Sequence, residues 1–358
     1  MDLLKKNIAL SMFIIKEWTT MSVTDVYARA IDFSARHLKD CQSGEIDTGW
    51  SAGNDVLNPF FDDSSCRSGE NFIFNLRRTE RKAPPKLIEA EVERQCRLYM
   101  SSHNVMFVPK QTRKDIKADV RQRLDSQAVP VPQWAQVIID SNCRRVYVLT
   151  ASATLLDAVI LYCAKTFELK LEPVSPTFWA VDERLGNSGW GIGREFLTWC
   201  LWQSEKLALS NSLQFSIEAP LDFVYDEEQG FKVGIATDIA AKGDGAPVCN
   251  ETQSALAGGK TLKKAVLNVV LDKSIWSGTF DAERFVWSSL TLPETESDTV
   301  AEIIGEKILL IAELYDLFKQ RFHDFAVDYS QDDYQSRRVE WIRNRYMGST
   351  TTEDNETN

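Results

Sequence analysis

The sequence predicts an α+β fold in which pairs of antiparallel strands are each followed by a covering helix. A related order of elements occurs twice along the chain. Two β-rich runs at residues 134–139 and 146–150 precede a helical pattern at residues 152–167. Two further β-rich runs at residues 262–271 and 279–287 precede a helical pattern at residues 297–325. Paired strands that are covered by a helix indicate an α+β arrangement, because a doubly wound fold would alternate single strands with helices.

The N-terminal part predicts a strand, a helix and a second strand. Residues 7–15 alternate in polarity and are rich in residues that favour β-strands, which is typical of a strand. Ser22 and Asp25 are spaced like the start of a capping box, so a helix is expected to begin there. After a loop that contains Trp50, residues 71–76 form the next apolar run, which predicts the second strand.

Two helices are predicted between residues 84 and 132. Pro84 and Pro85 open the first helix, since proline loses no hydrogen bond in the first turn. Its expected buried stripe consists of Ile88, Val92, Cys96 and Tyr99. The second helical pattern covers residues 110–124 and ends before Pro130. A short loop near residues 103–109 joins the two patterns, so we expect them to form a pair.

These patterns divide the chain into six regions. They are an N-terminal α+β region (1–83), a basic helical pair (84–132), a central hairpin, helix and strand (133–176), a Trp-rich insert with a hairpin (177–257), a strand pair with a long helix (258–330), and a tail (331–358). Within the insert, the hairpin is predicted from residues 215–225 and 231–239. The polar end of the tail, beyond Gly348, has the composition of a disordered segment.

The charge of the chain reverses between Arg77 and Arg123. This stretch holds thirteen Lys or Arg against six Asp or Glu, a local charge of +7. The remaining residues sum to −18, since the whole chain carries −11. A concentrated basic stretch in an acidic protein indicates a directional site for a polyanion, and nucleic acid is the first partner to consider.

The second helix of the predicted pair sorts its charges onto two flanks. With Ile116 at zero on a helical wheel, the basic side chains fall between about 60° and about 160°, whereas Asp115 and Asp119 fall at about −100° and about −60°. The basic set is Lys110, Arg113, Lys114, Lys117 and Arg121. A purely solvated helix usually mixes its signs to gain pairs between successive turns, so this sorting favours phosphate contact.

Two further basic groups are candidates for phosphate contact. The first lies at the end of a predicted strand and consists of Arg77, Arg78, Arg81 and Lys82. Arginine suits phosphate because its planar fork can donate to two oxygens at once. The second group, Lys260, Lys263 and Lys264, opens the predicted strand at residue 262, and an ordinary exposed strand start explains it equally well.

Several classes of site are not predicted by the sequence. Its seven cysteines have wide, irregular spacing and include no C-x-x-C pair, which is typical of reduced, cytoplasmic proteins and gives no basis for a metal site. The apolar run at residues 8–15 is too short to span a bilayer, and it lacks a small-residue cleavage site, so we expect no signal peptide. We expect no cofactor, no catalytic residue and no membrane partner.

Two alternatives remain open at this point. Asp157, Glu168 and Lys170 have the outline of a metal-dependent nuclease, although the pattern places Asp157 inside a helix. Trp199 and Trp202 are spaced by three on a helical segment, so they form either core or a protein-interaction face. In the second case the basic stretch would contact an acidic protein.

The order of elements resembles the bacterial recombination-associated protein RdgC family. The similarity covers residues 81–176, from the proline-started helix and basic second helix to the final Pro-Val-Ser. It extends to Lys6-Asn7-Ile8, to Gly49-Trp50 and to Gly259-Lys260 with the strand pair after it. The chain departs from the family in its Trp-rich region 178–225 and in the Arg-rich segment that follows Phe325.

The resemblance implies a homodimer that closes into a ring and holds double-stranded DNA in a basic central hole. It also implies sequence-independent binding, association with the nucleoid, and restraint of strand exchange promoted by RecA. On this basis the phosphate contacts would include Arg77, Arg78, Arg81, Lys82, Arg113, Lys117 and Arg121.

Overall fold

A computed structural model describes residues 2–17, 21–185, 191–204, 213–225, 238–243 and 245–350, with side chains to residue 345. Within these ranges the helices are α1 (Val23–Asp32), α2 (Asp63–Cys66), α3 (Pro85–His103), α4 (Lys110–Gln127), α5 (Ala153–Phe167), α6 (Pro176–Asp182), α7 (Gly191–Ser204), α8 (Asn250–Ala257), α9 (Val300–Tyr329) and α10 (Tyr334–Thr350). The strands are β1 (Asn7–Glu17), β2 (Ile46–Ala52), β3 (Arg67–Ser68), β4 (Asn71–Glu80), β5 (Val131–Asp140), β6 (Arg145–Val148), β7 (Lys170–Pro173), β8 (Leu213–Val224), β9 (Asp238–Ala241), β10 (Thr261–Leu271), β11 (Ser274–Asp281) and β12 (Val286–Thr291). The α+β class is confirmed, and it is realised in two compact units.

The first unit comprises residues 16–142 and 152–171. In its sheet β4 lies between β2 and β5, and both pairings are antiparallel, so that Trp50 is opposite Leu76 and Leu76 is opposite Ala135. Helix α5 covers one face, where Phe167 and Trp50 pack with ring centroids 5.4 Å apart. The indole of Trp50 donates a hydrogen bond to Thr166 Oγ1 at 2.9 Å, which satisfies its buried polar atom.

The second unit comprises residues 2–15, 143–151 and 172–358. Its antiparallel strands follow the order β6, β1, β12, β11, β10, β8 and β9. Long helix α9 places Phe318 in an aromatic core, 4.7 Å from Phe280 and 5.4 Å from Phe196 between ring centroids. Tyr334 at the start of α10 is buried, and its hydroxyl donates to Glu195 of α7 at 2.9 Å.

Two predictions about the second unit are corrected. The run 279–287 is not one strand, because β11 ends at Asp281 and its carboxylate accepts hydrogen bonds from the backbone N–H groups of Glu283 and Arg284. This side-chain turn redirects the chain before β12 begins. The tail that was predicted to be disordered beyond Gly348 is still helical at Ser349 and Thr350, because the helix of the Arg-rich segment, α10, continues to Thr350. Most of the predicted strand 231–239, and the tail after Thr350, lie outside the described residues.

Candidate nucleic-acid interface

Helices α3 and α4 form the predicted pair and share a small apolar core. Its buried members are Ala83, Ile88, Val92, Cys96 and Val120, and the half-buried Val108, Ile116, Leu124 and Ala128 pack against them. The predicted stripe of α3 is therefore confirmed, with Tyr99 half-buried at its end. Because α4 turns its apolar side toward α3, the remaining arc of α4 faces solvent. We call α3, α4 and their connecting loop the helical hairpin.

Two carboxylates fix α4 in this position. Asp125 is buried in the last turn of α4 and accepts a hydrogen bond from the backbone N–H of Ala83 at 2.7 Å. Glu91 of α3 accepts a hydrogen bond from the guanidinium of Arg123 of α4. The first contact ties α4 to the segment that leaves β4, and the second joins the two helices.

The basic flank of α4 is exposed. It consists of Lys110, Arg113, Lys114, Lys117 and Arg121. Within the described part of the chain no ion pair engages the first four side chains, and the Nε of Arg121 lies 3.9 Å from Asp125. Eleven residues separate Lys110 from Arg121, so the flank extends about 16 Å along the helix axis. Several phosphate groups can therefore be contacted from one side of a single helix.

The phosphate contact predicted for Arg77 is wrong. Its side chain lies inside the first unit with 1% of its surface exposed. The guanidinium donates hydrogen bonds to the backbone carbonyls of Arg36 and Val56, and Asp47 lies 3.8 Å away. Burial lowers the pKa of this guanidinium, and Asp47 acts in the opposite direction. Arg77 thus holds two loops against β4 and is not accessible to a ligand.

The neighbours of Arg77 at the end of β4 are more accessible. Arg78 and Lys82 lie 3.9 and 3.7 Å from the carboxylate of Glu80, so they share one counter-charge. Arg81 is half-buried, and its Nε has no hydrogen-bond partner among the described residues. These three side chains remain candidates for a secondary contact.

The basic run at the start of β10 is not an open cationic surface. Lys260 is 2% exposed, so the phosphate contact predicted for it is wrong. Lys263 and Lys264 form ion pairs with Glu283 and Asp281 at 3.1 and 3.3 Å. Each of these two ammonium groups therefore already has a carboxylate partner in the second unit.

The three residues of the nuclease alternative, Asp157, Glu168 and Lys170, are not arranged as a metal site. Asp157 lies near the start of α5 and Glu168 follows its end, eleven residues or about 16 Å along the axis. Glu168 pairs with Arg29 at 2.7 Å and Lys170 with Glu17 at 3.0 Å. In the described ranges, no group of three His, Cys, Asp or Glu side chains is arranged to hold a metal ion. Nor does any helix there have the length and apolar character needed to cross a membrane.

The Trp199 and Trp202 interaction face is also contradicted. Both side chains are buried. Trp199 donates to Asp328 at 2.7 Å, and the Trp202 ring stacks on Trp341 of α10 at 5.7 Å between centroids. The chain covers this face with its own α9 and α10, so the spacing by three is a core pattern.

An exposed apolar tip was missed by the sequence reasoning. The loop between α3 and α4 exposes 97% of Met106 and 74% of Phe107, with Val105 beside them. Its signal was the apolar run from Val105 to Val108 just before Pro109. These side chains carry no charge, so they add no phosphate contact, but they distinguish the tip of the helical hairpin from its basic flank.

Neither a protein-family model nor a curated protein matches the chain. The resemblance to the RdgC family therefore remains a prediction made from sequence order.

Proposed function

We propose that this protein is a non-enzymatic, sequence-independent double-stranded DNA-binding protein. One observation carries the proposal: the basic flank of α4 presents Lys110, Arg113, Lys114 and Lys117 to solvent without carboxylate partners in the described structure. Lysine and arginine on such a flank contact the phosphate backbone, which is the same for every base sequence.

The charge distribution of the chain supports the same function. Outside residues 77–123 the protein sums to −18, so most of the molecule repels a polyanion. A duplex that approaches in solution is therefore directed toward the helical hairpin.

The proposal includes a homodimer that acts on homologous recombination by occupying duplex DNA and so opposing RecA. Its support is the RdgC-like order of elements in residues 5–325, together with the basic flank. The ring-shaped assembly and the association with the nucleoid in the cytoplasm belong to this part of the proposal.

Salt dependence tests the electrostatic mechanism directly. If the five cations of the basic flank each contact one phosphate, log affinity falls with log salt at a slope of about −4.5 per bound chain. Fluorescence anisotropy on two unrelated duplexes between about 50 and 200 mM salt measures the slope. Equal slopes and affinities for the two duplexes support the proposal, whereas a slope near zero or a marked sequence preference contradicts it.

The recombination role needs two separate measurements. Sedimentation of the free protein should give twice the monomer mass, and addition of the protein should slow RecA-promoted strand exchange on the duplex substrate. A monomer, or unchanged exchange under conditions where the duplex is saturated, would remove this part and leave the DNA-binding part standing.

A further inference from the structure

Glu91 is surrounded by donors on the side of the helical hairpin that lies away from the basic flank. Its two oxygens accept from Nε and Nη2 of Arg94, both at 2.7 Å. Oε1 also accepts from Gln95 Nε2 at 3.0 Å and from Nη2 of Arg123. One carboxylate therefore receives a two-pronged contact from one arginine and a further contact from another.

The position of this cluster separates it from the basic flank. On the wheel that places the basic flank between about 60° and about 160°, Arg123 falls at about −20°. The Glu91 side chain is 16% exposed, while those of Arg94 and Arg123 are 55% and 48% exposed. Glu91 thus lies behind two half-exposed guanidinium groups.

We propose that Arg94 and Arg123 form a second phosphate-binding site, which Glu91 occupies in cis. This inference rests on the proposed function, since it concerns the same helical hairpin. The planar carboxylate presents two oxygens to Arg94 much as a phosphate group would, and Gln95 donates to the same acceptor. While Glu91 is in place, the helical hairpin binds the nucleic-acid backbone on one side only.

The charge state of Glu91 keeps this site masked. The hydrogen bonds from Arg94, Gln95 and Arg123 hold the pKa of Glu91 well below its usual value. The carboxylate is therefore ionised at every pH at which the protein would meet nucleic acid. Removing the charge by substitution is the direct way to unmask the arginines.

The test compares Glu91→Gln with Glu93→Gln in the salt titration on a duplex. Both changes remove one negative charge from α3, but Glu93 has no ion pair in the described structure and its loss releases no arginine. Glu91→Gln should steepen the slope from about −4.5 to about −6 and tighten binding by about 50-fold near 0.1 M salt, since two contacts are added. Glu93→Gln should leave the slope unchanged. Equal slopes for the two variants would overturn the proposal.

Arg94→Gln/Arg123→Gln provides a second test that does not depend on Glu91→Gln folding. In the protein that keeps Glu91, Arg94 and Arg123 are masked, so replacing them should leave the salt slope at its native value. A slope shallower by about 2 would mean that both arginines already contact phosphate. When the same two substitutions are added to Glu91→Gln, the steeper slope and the tighter DNA binding of that variant should disappear. If they persist, the proposed site is contradicted. Thermal melts check that each variant is folded.

A different probe separates this inference from the proposed function. If the native protein binds no duplex at any salt concentration, the proposed function fails. Tripolyphosphate titrated by calorimetry into Glu91→Gln and Glu93→Gln then tests the masked site alone. Binding by Glu91→Gln only supports the site, and equal or absent binding refutes it.

Discussion

The basic flank of α4 and the basic start of β10 are alike in sequence but differ in structure. Each concentrates lysine or arginine within a short segment. On α4 the cations from Lys110 to Lys117 face solvent without carboxylate partners in the described chain, whereas at β10 one lysine is buried and two are paired. A count of positive residues therefore does not identify a polyanion site until their partners are known.

The difference has a simple physical origin. A two-residue turn joins β10 to β11 and sets Lys264 opposite Asp281, so cross-strand pairing supplies the counter-charge. In the helical hairpin the helices meet through apolar side chains, and nothing in that contact reaches the outer arc of α4. Strand β11 and the turn after it thus neutralise Lys264 and Lys263, whereas the helix pair leaves its cations available.

The largest effect is expected when the cations of each region are replaced in a separate variant and the DNA affinities of the two variants are compared. Changing Lys110, Arg113, Lys114 and Lys117 together to Gln should weaken duplex binding about a thousandfold near 0.1 M salt and reduce the slope to about −1. Lys263→Gln/Lys264→Gln should alter affinity less than about threefold, because both lysines are already paired. Similar losses in the two variants would contradict the comparison.

Arg77→Met tests whether Arg77, a buried cation of the basic stretch, contributes to folding stability but not to DNA binding. The change leaves two buried backbone carbonyls without their Arg77 donor and removes one of the two guanidinium groups near Asp47, so the free energy of unfolding should fall by about 3 kcal/mol. Urea denaturation measures the loss, with Arg78→Met as the matched control at the same strand end. The salt slope of the folded variant should remain native, and a shallower slope would restore Arg77 to the interface.

Asp125→Ala tests how α4 is held. It removes the acceptor for the Ala83 N–H, which should cost about 2 kcal/mol of stability because a buried donor is left unpaired. Asp119→Ala, on the exposed side of the same helix, is the control and should change stability by less than about 0.5 kcal/mol. Equal unfolding midpoints for the two variants would show that the Asp125 contact contributes nothing.

The smallest expected effect concerns the ion pair of the strand region. A double-mutant cycle of Lys264→Gln and Asp281→Asn should give a coupling energy of about 0.5 kcal/mol, since the pair is partly solvated. Thermal unfolding of the four proteins measures it. A coupling energy of zero would mean that the two groups do not interact in solution, and Lys264 would become a candidate for phosphate contact again.

Much of the helical hairpin could be predicted from sequence, because local signals agree with its packing. Pro85 does open α3, and α4 begins at the predicted Lys110, with an end three residues beyond the predicted one. The burial of Arg77 had no such signal. Its strand ends in the polar run Arg77–Glu80, which reads as solvent-exposed, and the backbone carbonyls that cover Arg77 come from residues 36 and 56, far away in sequence.

The pairing of Lys264 with Asp281 could be predicted from the sequence. Once Asp272 and Lys273 are read as a two-residue turn, Leu271 faces Ser274 and Lys264 must face Asp281. The Glu91 cluster was only partly predictable, because the proximity of Glu91 and Arg94 follows from helical spacing, whereas the contact with Arg123 depends on how two helices cross.

The apolar core that α3 and α4 share has a consequence for the motions of the protein. Its contacts lie mainly between the two helices themselves, so backbone amides of both helices should exchange with deuterated solvent as one cooperative group. A bound polyanion on the outer arc of α4 would then slow exchange in α3 as well, although α3 does not touch it.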